Sequence, residues 1–181
     1  MAAPSGAVRR QLLVNATELL RQPGTVRTVA ASVPLAEVEV ADDRLNGDVD
    51  VDVTLTSSLD DVEVEGTLTV PWSDQCRRCL EPLAEDLEIA VHERYVREPA
   101  PPGEGEGPEE FPIENGQIDL GPMVREELLL GVPEAPVCRE DCAGICPSCG
   151  ADLNAGPCDC HTTVRDERWA ILDQLKDDAG R

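Results

Sequence analysis

Aromatic side chains are nearly missing from this chain: one Tyr, one Phe and two Trp make up 2% of its residues. A core must therefore be built from Val, Leu, Ile and Ala, and little is left for stacking on exposed bases. Cations are scarce too. Lys176 is the single lysine, Lys and Arg number 15 against 37 Asp and Glu, and the formal net charge is −22. A surface this acidic repels phosphate backbones at long range, so extensive nucleic-acid contact is the least compatible role; only a local Arg patch would permit it. A basic protein partner fits better. No apolar run reaches the ~18 residues needed to span a bilayer. The stretch Met1–Val14 also lacks the apolar run of a signal peptide. These absences lead us to expect a cytoplasmic protein without a membrane partner, whose thiols stay reduced.

Catalytic signatures are missing as well. The two histidines, His92 and His161, serve acid–base chemistry poorly, and neither begins a His-x-Glu motif. There is no phosphate-binding loop, dinucleotide fingerprint or nucleophile elbow. We expect neither an enzyme nor a small-molecule substrate.

What the chain does have is eight cysteines in four close pairs: Cys76 and Cys79, Cys138 and Cys142, Cys146 and Cys149, Cys158 and Cys160. Four thiolates make one tetrahedral site, so eight make two. In Cys146-Pro147-Ser148-Cys149-Gly150, Pro147 fixes φ inside a knuckle and Gly150 lets the chain leave at positive φ. The segment 132–162 holds few bulky apolar residues (Val132, Val137, Ile145, Leu153) and cannot build a core of its own. A structural zinc supplies roughly 10–16 kcal/mol of apparent binding free energy in small domains. That rivals the total stability of many domains, about 5–15 kcal/mol. Metal is the expected organiser, as two structural ions. Zinc is favoured because it needs no cofactor machinery, although tetrathiolate spacing does not separate it from iron.

The pairs can combine in more than one way. Cys146, Cys149, Cys158 and Cys160 can close a local site, leaving Cys76 and Cys79 to join Cys138 and Cys142. The two partner pairs can also be exchanged, or only one site can be filled. His161 adjoins Cys160 as a spare ligand. Trp72, Arg77 and Arg78 surround the first knuckle and are candidate partner contacts, with core or ordinary surface as the plainer readings.

Periodicity supplies the frame. Val49, Val51, Val53 and Leu55 alternate with Asp48, Asp50, Asp52 and Thr54, predicting a strand with one acidic face. A second strand carries Val62, Val64, Leu68 and Val70, with Gly66 as a candidate bulge. A third covers about 86–96. Asn15 is placed to cap a brief helix near Thr17–Arg21, and Pro112–Gln117 can add a short strand. A helix is predicted from Asp119 to about Leu130, and a last one over about 166–176 with Trp169, Leu172 and Leu175 on one face. The expected fold is α+β. An antiparallel sheet or partial barrel over 1–97 carries the Cys76–Cys79 knuckle. An acidic Pro/Gly linker follows over 98–111. Residues 112–181 then hold a helix, a zinc-ribbon-like cysteine segment and the last helix.

Taken in order, these motifs resemble the YceD family of large ribosomal RNA subunit accumulation proteins. The resemblance is carried by Val64-Glu65-Gly66-Thr67-Leu68 leading into Cys76-Arg77-Arg78-Cys79, then Ile118-Asp119-Leu120, Pro133, Pro136, Cys138, Cys142, Gly144, Cys146-Pro147-Ser148-Cys149-Gly150, Leu153-Asn154, Cys158, Cys160 and Asp166-Glu167-Arg168-Trp169. Glu167 departs from the proline frequent there in the family. The resemblance implies a non-enzymatic factor supporting accumulation or processing of large-subunit ribosomal RNA. The expected partner is a large-subunit ribosomal precursor or, as the net charge of −22 favours, a basic ribosomal protein, with direct RNA contact limited. Classes outside this reading are a zinc-ribbon adaptor in transcription and a thiol-based redox sensor.

Overall fold

The computed structural model describes residues 9–99 and 110–160. The expectations for most of the Pro/Gly-rich stretch, for His161 and for the helix with Trp169 lie outside these residues.

The protein is mostly β-sheet. After a 3₁₀ turn at Arg9–Leu12 come β1 (Leu13–Asn15) and α1 (Ala16–Leu19), then β2 (Val26–Pro34), β3 (Asp48–Ser57), β4 (Asp61–Gln75), β5 (Pro82–Val96), β6 (Glu110–Pro112), β7 (Gln117–Asp119) and α2 (Gly121–Gly131). β2 to β6 form one five-stranded sheet in chain order, and β1 pairs with β7 in a separate two-stranded ribbon. The five-stranded sheet ends at β2 and β6, so it is not a closed barrel. Nor is it wholly antiparallel: β6 runs parallel to β5.

The alternation in β3 and β4 works as predicted. Val49, Val51, Val53 and Leu55 are at most 1% exposed, and Val62, Val64, Leu68 and Val70 are fully buried. Register settles how so acidic a face is tolerated. Asp50 and Asp52 lie opposite Thr69 and Thr67, while Glu65 and Glu63 lie opposite Thr54 and Thr56. Each carboxylate therefore faces a threonine, which avoids the cost of like charges directly across a ladder.

Gly66 marks no bulge, because the β3–β4 register runs unbroken through Val53 opposite Gly66. The reason for glycine is proximity: a Cβ here would run into the backbone of Asp52 and Val53. β4 also continues past Pro71 to Gln75. Proline is accommodated because the 44–46 loop takes up this end, with Asn46 N–H donating to Pro71 O and Ser73 N–H to Arg44 O.

Helix α1 is capped as expected, with Asn15 Oδ1 accepting the Glu18 N–H at 3.1 Å. In α2, Asp119 Oδ1 accepts the Gly121 N–H at 2.9 Å and a proline occupies the first turn. Leu120, Met123, Val124 and Leu128 are fully buried in the same core as the strands, and Val132 follows them.

The chain divides into two compact units along different lines from a split at 98–111. The first takes in the described residues up to Asp74 and Pro82–Pro136; the second takes in Gln75–Glu81 and the described residues from Val137. Helix α2 thus belongs with the sheet, because its apolar side is part of the sheet's core. The hairpin tip carrying Cys76 and Cys79 belongs with the cysteine-rich segment. Among the described residues, no helix is long and apolar enough to cross a membrane.

Candidate metal centres

The second unit is organised around sulfur. Its buried apolar residues, among those described, are Cys76, Cys142 and Cys146, and none of its described residues joins the hydrophobic core cluster. The eight cysteines fall into two tetrads: Cys76, Cys79, Cys138 and Cys142, and Cys146, Cys149, Cys158 and Cys160. Within each, the sulfurs all lie within 4.8 Å of one another. This is the first of the partitions open to the sequence.

The distances in the first tetrad speak against disulfides and match a metal site. Cys76 Sγ and Cys142 Sγ are 3.8 Å apart, and Cys79 Sγ and Cys138 Sγ are 3.6 Å apart. A disulfide needs about 2.05 Å. A tetrahedron with metal–sulfur bonds of about 2.3 Å has sulfur–sulfur edges of about 3.8 Å. The donor set therefore fits a tetrahedral metal ion, with no ligand position left over for substrate or water.

Both knuckles are built by one hydrogen-bond scheme. In the first, Leu80 N–H donates to Cys76 O at 2.9 Å and Cys76 N–H to Glu81 O at 2.8 Å. In the second, Gly150 N–H donates to Cys146 O and Cys146 N–H to Ala151 O, both at 2.8 Å. Arg78 N–H points at Cys76 Sγ (3.5 Å), as Ser148 N–H points at Cys146 Sγ (3.4 Å). The residue after each second cysteine has positive φ, 74° at Gly150 and 64° at Leu80. Leu80 is therefore a strained residue in the place where the other knuckle uses glycine.

The thiols are tuned in opposite directions. Burial opposes ionisation of Cys76, but the N–H groups of Cys79, Cys138 and Arg78 outweigh it and bring the thiol down to about 6. The N–H groups of Cys149 and Ser148 do the same for Cys146, also to about 6. Burial and the neighbouring Cys142 and Cys79 thiols push Cys138 up to about 12. Cys160 is pushed up to about 12 by its hydrogen bond with Cys149 and by burial. Each tetrad thus pairs a readily ionised cysteine with one that burial and its neighbouring thiols keep protonated. A dication among the four sulfurs reverses that repulsion and lets all of them ionise.

Further side chains brace the first tetrad. Arg78 Nη1 donates to Glu140 O (2.9 Å) and Cys142 O (3.0 Å), tying the hairpin tip to the loop that carries Cys138 and Cys142. Asn154 Oδ1 accepts from Ala143 N–H (2.8 Å) and Arg139 Nη2 (2.7 Å), while its Nδ2 points at Cys142 Sγ (3.5 Å). Gly144, at φ 75°, passes so close to Arg78 that a Cβ would lie 2.9 Å from the Arg78 carbonyl oxygen. Asn154 and Gly144 stood in the family-like string without a role, since nothing local in the sequence says what they touch.

The candidate partner contacts fare differently from the cysteines. Trp72 is 2% exposed within the core of the first unit, where it bridges to Leu45. It is a packing residue and presents no surface to a partner. Arg78 spends its guanidinium on the two carbonyls above. Arg77 is exposed.

Comparison with known proteins follows the same residues. The profile of the large ribosomal RNA subunit accumulation protein YceD matches residues 64–176, a span that contains all eight cysteines. An uncharacterized protein of Mycobacterium tuberculosis is 32% identical over 128 residues, 70% of this chain and 61% of its own length. An uncharacterized protein of Mycobacterium leprae is 29% identical over 163 residues, 88% of this chain and 75% of its own. The chloroplastic YCED homolog 1 of Arabidopsis thaliana, named a large ribosomal RNA subunit accumulation protein, is 33% identical over 67 residues, 37% of this chain and 21% of its own. The match thus spans about three fifths of the Mycobacterium tuberculosis relative. No solved structure gives a significant match. The chain belongs to the YceD family.

Proposed function

We propose that this chain, a member of the YceD family, is a non-enzymatic ribosome-biogenesis factor that supports accumulation of large-subunit ribosomal RNA. The observation that carries this is the family match over 64–176, which takes in both knuckles and both tetrads. The Arabidopsis relative's name points the same way. The two tetrads are structural zinc sites: all-thiolate, tetrahedral and closed, they offer no open position for catalysis.

The protein reaches the RNA through a basic ribosomal protein. Its net charge of −22 and the outward row of Asp50, Asp52, Glu63 and Glu65 favour a cationic protein over a phosphate backbone. It works in the cytoplasm, where ribosomal subunits are assembled and free thiolates remain available for metal.

Sedimentation of cell extract through a sucrose gradient tests the role. Comigration of the protein with large-subunit precursors is the expected result. A protein found wholly in the free fractions, with ribosomal RNA levels unchanged on its depletion, contradicts it.

A further inference from the structure

The chain's one tyrosine and one phenylalanine meet in the first unit. The rings of Tyr95 and Phe111 stack with centroids 5.2 Å apart. They sit there because β6 adds to β5 in parallel, with Tyr95 opposite Phe111. Beside them opens a cavity of about 430 Å³. Its apolar wall includes Leu13, Phe111 and Pro122; its polar residues include the carboxylates of Glu110, Glu114, Asp119 and Glu126. Among the described residues, no cationic side chain lines it.

Two of these carboxylates already have work in the fold. Glu110 pairs with Arg94 at 3.5 Å, and Asp119 holds the first N–H of α2. Glu114 and Glu126 are exposed and have no such assignment. Glu114 is held by a tight turn: Asn115 and Gly116 both have positive φ (50° and 72°), and Glu114 bridges to Gln117. Glu126 rides on α2, whose buried side is anchored in the core.

We propose that this cavity anchors an arginine side chain presented by a basic segment of a partner protein. The proposal rests on the assembly role above and gives it a docking point. Arginine suits the chemistry on both counts. Its methylene stem covers apolar wall, and its planar guanidinium forks onto carboxylates. An anionic ligand, RNA included, meets four carboxylates there, one of them, Glu110, in an ion pair with Arg94. The acidic outer face of the sheet attracts the same partner at longer range.

Titration calorimetry of the full, metal-loaded chain with an oligo-arginine peptide tests the site. Glu114→Gln/Glu126→Gln is compared with Asp50→Asn/Asp52→Asn, which removes the same charge from the sheet face. The cavity variant is expected to lose about tenfold or more in affinity and the sheet-face variant clearly less, with Leu13 and Phe111 resonances shifting on binding to the wild type. Equal losses in the two variants, no loss in the cavity variant, or no binding by the wild type overturns the proposal. So does a uridine oligonucleotide that shifts those resonances where the peptide does not. The assembly role is judged separately by wild-type comigration with ribosomal precursors, so a failed cavity and a failed role give different results.

Discussion

The two compact units are held together by different physics. The first buries Val, Leu and Ile from β2 to β5 together with the apolar side of α2, in one continuous core. The second places no described residue in that core; its buried apolar groups are three cysteines. One unit folds by removing hydrocarbon from water, and the other has its sulfurs placed so that ions can hold them together. A second contrast lies inside the metal unit. The first tetrad joins two segments far apart in the chain and has Cys76 and Cys142 buried; the second is local and leaves Cys149 exposed.

Removing metal breaks the comparison most sharply. A strong chelator should abolish amide-exchange protection around 138–154 and at the 76–81 tip, while β3 and β4 stay protected. The loss corresponds to zinc energies of roughly 10–16 kcal/mol in small domains. If both units keep, or both lose, protection together, the division of labour is wrong.

Single ligands separate the two tetrads. Cys76→Ser should expose both the hairpin tip and the 137–145 loop to protease. Cys149→Ser should open mainly 146–160. Identical fragment patterns would show that the tetrads do not act as independent knots.

The shared knuckle scheme permits a smaller and reciprocal test. A non-glycine residue at positive φ costs roughly 1–2 kcal/mol, and Leu80 is 55% exposed, so little packing is lost on removing it. Leu80→Gly should therefore slow metal loss from the first tetrad, offset in part by glycine's greater unfolded-state entropy. Gly150→Leu should speed metal loss from the second. Equal release rates across wild type and both variants would show that the two turns do not share this strain.

The smallest effect belongs to the first unit alone. Burial and a shared hydrogen bond with Glu127, with Glu126 adding repulsion and His92 opposing it, push Glu93 up to about 7 from an ordinary 4.5. The folded unit therefore prefers this carboxyl protonated. Its stabilising contribution is complete below about 4.5 and is lost as pH rises through about 7. Glu93→Gln should flatten that decline, seen in urea midpoints measured across the range, without changing the metal content. A decline equally steep in the variant would assign the pH dependence elsewhere.

What could be read in advance follows from what is local. Strict alternation exposed β3 and β4, and the four cysteine pairs exposed the candidate metal-binding tetrads. β2 went unread because Ala30, Ala31 and Ser32 blur its alternation and Val26 is 60% exposed. The parallel pairing of β6 went unread because hydrophobic pattern carries no strand direction. The placement of α2 with the sheet depends on tertiary packing of Met123, Val124 and Leu128. Spacing left the cysteine partition open, and sulfur–sulfur distances closed it. Leu80 was legible in principle: aligning Cys76–Leu80 with Cys146–Gly150 places it on the glycine position.

The central claim is that the second unit is built on two metal ions. Native mass spectrometry with elemental analysis of the purified protein measures this directly. Two zinc ions per chain is the predicted result. A chain that keeps the protection of its cysteine segment with one ion or none contradicts it.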